Sequence, residues 1–136
     1  MKKRLETPML LVIDMQNVYG KGQAWECKRF EEANQNIHLL LDHVTREEVL
    51  FTKYTAAVQP VGVWKDYNRE NAAVNADPWL NDLVSDLKPY TDQYPVYEKS
   101  TYSSLENALI REKVKEKSCV IVTGVVAECC VLSTVM

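Results

Sequence analysis

Three kinds of side chain able to do covalent chemistry stand at or just past the ends of strand-like runs. Asp14 closes "MLLVID" (9–14), Lys99 closes "YPVYEK" (94–99), and "CVIVTG" (119–124) leads through Gly124 to the adjacent thiols Cys129 and Cys130. A carboxylate can take a thiol proton and a nearby ammonium favours the thiolate, so the three together could activate a cysteine as a nucleophile. A helix starting under the cysteines would add free N–H groups that favour an anionic sulfur and could hold an oxyanion. Each residue also has a structural alternative. Asp14 can cap a loop or helix, Lys99 can be an ordinary solvated lysine, and either cysteine can be an inert buried thiol. Trp64 can be a pocket wall or packing, and the sequence leaves that open.

For the three to meet, these runs must be parallel strands whose carboxyl ends share one rim, the place where open parallel sheets bind ligands. "MLLVID" reads as a buried strand, a continuous apolar run ended by polar residues. "EVLFTKY" (48–54) reads as a second strand, "YPVYEK" as a short third and "CVIVTG" as a fourth. Helical spacing of Phe30, Ala33, Ile37, Leu40, Leu41 and Val44 predicts a helix over 28–44. A helix over 77–88 would take Asp77 as N-cap and Pro78 as first residue. Another, over 103–117, would carry Leu105, Leu109, Ile110 and Val114 on one face, and a last one would begin near Ala127. Residues 55–76 read as a long loop. Strands alternating with helices predict an α/β fold, a parallel sheet with helices on both faces.

At 136 residues the chain is expected to form one domain, residues 1–136, with enough length for a real core. Its 46% hydrophobic and 26% charged residues are ordinary for a soluble globular protein. A net charge of -3 gives no electrostatic reason to expect nucleic acid or an anionic membrane as partner. No apolar run reaches membrane-spanning length. "KKR" near the start leads to Glu6 and Pro8 rather than to a long apolar segment, so no signal peptide is expected. Cys27, Cys119, Cys129 and Cys130 are not spaced as a disulfide framework, which suggests a reducing, cytoplasmic setting. There is no CxxC, and His38 and His43 are five apart, so no metal and no cofactor is expected.

At the same residues the chain resembles the isochorismatase-like cysteine hydrolases, the superfamily of nicotinamidases and N-carbamoylsarcosine amidases. "LLVIDMQNVY" resembles the opening motif, with Asp14, Gln16 and Tyr19 in its key positions. "YEKSTYSSL" resembles the lysine motif, with Lys99 and Ser103, and Leu105 where Phe is common. "VTGVVAECCVLST" resembles the nucleophile motif, in which a cysteine follows the glycine by six residues and is followed by Val131 and Thr134. The resemblance spans residues 10–134. It implies a Rossmann-like parallel sheet and hydrolysis of a small amide or related C–N bond through a thioester. It makes Cys130 the nucleophile, Asp14 its proton acceptor and Lys99 a support for the thiolate. The implied oxyanion hole is the N–H groups of Val126 and Cys130, behind a cis Val125–Val126 peptide. Gln16, Tyr19 and Trp64 are the expected substrate-binding residues. Nicotinamidases of the family carry histidine metal ligands after the second strand; "FTKYTAAVQPVGVW" has none, so a metal-dependent nicotinamidase is not expected. Vinyl-ether-cleaving isochorismatases do not use the cysteine, so Cys130 points to thiol chemistry.

Family members continue past the nucleophile helix, so the expected domain is C-terminally incomplete. That leaves two functions to weigh. One is a cysteine hydrolase acting on a small-molecule amide. The other is a catalytically weak or inactive homologue serving as a binding or assembly protein. Either way the last strand would lie near an unpaired sheet edge, and such edges recruit other chains. A homodimer or larger homo-oligomer is therefore expected.

Overall fold

A computed structural model of the chain describes residues 8–43 and 48–136. Four strands, β1 (Met9–Ile13), β2 (Val49–Tyr54), β3 (Val96–Lys99) and β4 (Val120–Gly124), form one sheet of order β3-β2-β1-β4. All three pairings are parallel. Five consecutive apolar residues make β1, and all five are buried. Such a strand fits only the middle of a sheet covered on both faces, and burying each large aliphatic side chain is worth about 1.5–3 kcal/mol. Strand alternation sends Leu10, Val12, Val49 and Phe51 to one face and Met9, Leu11, Ile13 and Leu50 to the other.

Helix α1 (Phe30–His43) covers the first face with Phe30, Ile37 and Leu41. Its stripe follows the predicted spacing; Val44 lies outside the described residues. The opposite face is covered by Val114 and by Cys130 and Val131 of the last turn.

Three expectations are corrected. Residues 55–76 are not all loop, because α2 (Trp64–Glu70) and α3 (Ala72–Asn75) lie within them. Trp64 and Tyr67 stand one helical turn apart and meet edge to face, giving α2 a half-buried aromatic side that an apolar-residue count overlooks. The helix over 77–88 is cut short. Asp77 does cap it, accepting from the Trp79 and Leu80 N–H groups, but α4 is only Pro78–Asn81. Residues 82–84 instead run beside 15–17: Asn17 N–H bonds to Asp82 O at 2.9 Å and Val84 N–H to Met15 O at 2.9 Å. A 3-10 turn and α5 (Lys88–Thr91) follow. The helix over 103–117 breaks at Asn107, which caps α6 (Ala108–Lys115) through its side chain, while Ser103 caps a separate 3-10 turn. That break turns Leu109 outward, so Ile110 is buried and Leu109 is exposed.

After β4 the chain makes a π-helical turn, Ala127–Val131, and ends in α7 (Leu132–Val135). Gly124 makes the exit possible. Its φ is +110°, and a Cβ there would sit 2.0 Å from Ile13 O of the neighbouring strand. No helix among the described residues is long and apolar enough to cross a membrane.

Candidate active site

Asp14 is the first residue past β1. Its φ of 51° is the left-handed region that non-glycine residues seldom occupy, and such outliers gather at functional sites. Its N–H donates to Thr52 O at 3.1 Å and to Thr52 Oγ1 at 3.2 Å. Its carboxylate is held on both oxygens. Thr52 Oγ1 donates to Oδ1 at 2.7 Å and Lys99 Nζ donates to Oδ2 at 2.8 Å.

Lys99, the last residue of β3, is 4% exposed. A buried ammonium must place all three protons. The loop after β3 curls around it, so that Nζ also donates to Thr101 O at 3.0 Å and Tyr102 O at 2.9 Å. The ring of Tyr54 lies 6.0 Å from Nζ. Neither side chain of the Lys99–Asp14 pair is exposed at all. Removing one partner of a fully buried pair strands the other charge, at a cost of about 3–5 kcal/mol.

The third member is Cys130, 2% exposed, inside the π-helical turn. Its sulfur lies close enough to the Asp14 carboxylate and the Val126 N–H for both to act on its protonation. Burial and then the charge of Asp14 push the thiol up to about 12, against the pull of Lys99 and the Val126 N–H. The resting group is thus the thiol, beside the carboxylate. This differs from the thiolate expected from the cation and the turn, because desolvation outweighs both.

The π geometry matters for the amides as well. The Val126 carbonyl accepts from both Cys129 N–H and Val131 N–H at 3.1 Å. Among the described residues, no carbonyl outside its own turn accepts from the Cys130 N–H between them. The Val125–Val126 peptide is cis, as the motif implied. Thr134 fixes the turn from below. Its hydroxyl is 2.7 Å from Cys130 O and accepts from the Ser104 N–H at 3.0 Å, tying the Cys130 turn to the loop after Lys99.

Above the sulfur opens a cleft of about 630 Å³, whose walls include Tyr19, Trp25, Tyr67 and Tyr102 and whose floor includes Cys129 and Cys130. Its size suits a small molecule, and its aromatic walls are typical of such sites. Burial raises the Tyr19 and Tyr67 phenols above their ordinary range, so both stay neutral donors.

The predicted residues fall into three groups. Asp14, Lys99, Cys130 and Val126 meet at one point. Tyr19 lines the cleft. Trp64 and Gln16 do not. Trp64 packs behind the wall, its ring 4.9 Å from that of Tyr102 and 5.4 Å from that of Tyr67. The Gln16 amide is wholly taken by backbone: Nε2 donates to Tyr54 O at 3.0 Å and Asn81 O at 2.7 Å, and Oε1 accepts from Tyr54 N–H at 2.9 Å. Sequence reasoning missed Thr52, Trp25 and Tyr102. Thr52 sat unnoticed in an apolar strand, where threonine is a common β-former; its one signal was a hydroxyl in the interior of a buried run. Trp25 lies in an aperiodic segment. Among the described residues, no group of three or more His, Cys, Asp or Glu is arranged to hold a metal ion.

The family model for the isochorismatase domain matches residues 8–136. Among solved structures, a cysteine hydrolase from Pseudomonas syringae pv. phaseolicola 1448A superposes with a TM-score of 0.76 at 21% identity, over 98% of this chain and 70% of that one. A nicotinamidase from Bacillus subtilis gives 0.67 at 16% identity, over 95% of this chain and 73% of that one. An N-carbamoylsarcosine amidase from Thermoplasma acidophilum gives 0.64 at 18%, again over 95% and 73%. No curated protein matches the sequence. Identities this low establish a shared fold.

Proposed function

The chain belongs to the isochorismatase family of hydrolases, and from that premise we propose that it cleaves a small amide or related C–N bond through a thioester on Cys130. The observation that carries this reading is the buried Asp14–Lys99 pair beside Cys130, with Cys130 and Val126 both in the lining of the cleft. Similarity of fold to a cysteine hydrolase and to an N-carbamoylsarcosine amidase supports it.

In the first step the sulfur attacks the substrate carbonyl carbon while the thiol proton passes to Asp14. Charge builds on the carbonyl oxygen, which the Val126 and Cys130 N–H groups receive. The C–N bond breaks, and the departing nitrogen takes the proton back from Asp14. Water then attacks the thioester. Asp14 accepts the water's proton and returns one to the leaving sulfur, releasing a carboxylic acid. Lys99 is a fixed countercharge: its protons are all donated, so it holds the carboxylate and offsets negative charge near the sulfur rather than transferring protons. The neutral resting thiol suits this coupled transfer, since a proton remains to be moved with the attack.

Gln16 belongs to the scaffold of the rim, and Trp64 supports the wall; substrate selection falls to Tyr19, Trp25, Tyr67 and Tyr102. Four free cysteines suit a reducing compartment such as the cytoplasm. A panel of small primary amides and carbamoyl compounds, assayed for released ammonia, tests the reading. Turnover that disappears in Cys130→Ala is the expected result. Full turnover in that variant would refute it.

A further inference from the structure

We propose that Thr52 is a positioning residue for the hydrolytic step: it fixes the Asp14 carboxylate in the one orientation that can take the Cys130 proton. This rests on the cysteine-hydrolase reading. Thr52 is 0% exposed and lies beside Ile13 in the β1–β2 register, one residue before Asp14. It grips Asp14 three times. Its carbonyl and its Oγ1 both accept from the Asp14 N–H, and its hydroxyl donates to Oδ1 at 2.7 Å.

The polarity of that hydroxyl is forced. A hydroxyl has one proton, and its two neighbours are an N–H and a carboxylate oxygen. The N–H can only donate, so the hydroxyl must accept there and give its proton to Oδ1. It cannot reverse while Asp14 keeps its backbone conformation, the left-handed one that the Thr52 carbonyl also holds. With Oδ1 fixed by Thr52 and Oδ2 by Lys99, the carboxylate plane cannot turn about its Cβ–Cγ bond. Lys99 holds one oxygen only, and the second donor on the other oxygen locks the plane from both sides. Alignment of the free lone pairs with the sulfur therefore depends on Thr52, although Thr52 touches neither sulfur nor substrate. Misplacing a proton acceptor by about 1 Å costs about 100-fold in rate.

The test compares Thr52→Val, close in shape but without the hydroxyl, with Thr52→Ser, which restores it. Two rates are read at neutral pH: turnover of the best substrate from the panel, and alkylation of Cys130 by iodoacetamide, followed by peptide mapping. Expected in Thr52→Val are a fall in kcat of about 10- to 100-fold with KM within twofold, a fall of at least fivefold in Cys130 alkylation, and recovery of most of both in Thr52→Ser. Unchanged rates in Thr52→Val would overturn the proposal. So would equal losses in the two variants tracking a lowered melting temperature, since that is what a purely structural residue does. The alkylation arm needs no substrate. If no amide is turned over by the native chain, yet Cys130 alkylation falls in Thr52→Val and recovers in Thr52→Ser, the amide reading fails while the positioning role stands.

Discussion

At the scale of single residues, the site is governed by desolvation. Cys130 sits in a pocket that penalises charge, beside a carboxylate that penalises a second negative charge further. The thiol is therefore pushed up to about 12, and its reactivity must come from proton transfer rather than from a standing thiolate. Two outcomes follow. Alkylation of Cys130 should still be climbing between about pH 9 and 10, where an ordinary thiol levels off; a plateau reached by pH 7 would mean a resting thiolate. Asp14→Asn should reduce turnover by about 100-fold or more, the usual scale for a general base, and near-native turnover would reduce Asp14 to a structural cap. The acid and the cation were legible in the sequence because each closes a strand-like run, and the thiol because it falls in a motif at fixed spacing from Gly124. The contacts that hold them were not: Thr134 stands in the motif, but its bond to Ser104 and the bond of Thr52 to Asp14 reach across 30 and 38 residues of chain, which local spacing does not encode.

At the scale of elements, the site is a product of how strands end. β1 delivers Asp14, β3 delivers Lys99 and β4 delivers the turn, all on one rim because all four strands run the same way. The strands could be read as short runs bounded by polar or turn residues, and α1 from the helical period of its apolar residues. The short elements could not. Whether 82–84 continues α4 or pairs beside 15–17 depends on a partner far along the chain, and so does the break at Asn107. Two substitutions probe the joints. Gly124→Ala would force a Cβ against the backbone of Ile13; we expect a loss of about 3 kcal/mol or more, read by chemical denaturation. Thr134→Val would leave the Ser104 N–H and the Cys130 carbonyl without their hydroxyl partner. A loss of about 1–3 kcal/mol, together with lower turnover, is the outcome that fits a clasp under the Cys130 turn. Full stability in either variant would contradict its role.

At the scale of the whole molecule, pH and association both report on buried and edge surface. Cys130 keeps its proton in the folded chain to about pH 12 but loses it near its ordinary value of 9.0 when unfolded. Tyr54 behaves alike, up to about 12 from 10.0. Across that window the unfolded state binds fewer protons, so stability should fall as pH rises from about 9 to 12. Melting temperatures constant over that range would contradict the buried, neutral assignment. β4 lies at the edge of the sheet next to β1, and its five residues are only half-buried. An apolar edge favours pairing with another chain. Light scattering after size exclusion should therefore give a dimer or larger species; a monodisperse monomer at high concentration would contradict association through this edge.

The most direct test of the chemistry is the mass of the protein quenched in acid during turnover of an amide substrate. A thioester should appear as an added acyl mass on the peptide bearing Cys130, accumulate when deacylation is slow, and be absent in Cys130→Ser. Acylation on Cys129 instead, or steady turnover with no dependence on Cys130, would contradict the assignment of Cys130 as the nucleophile.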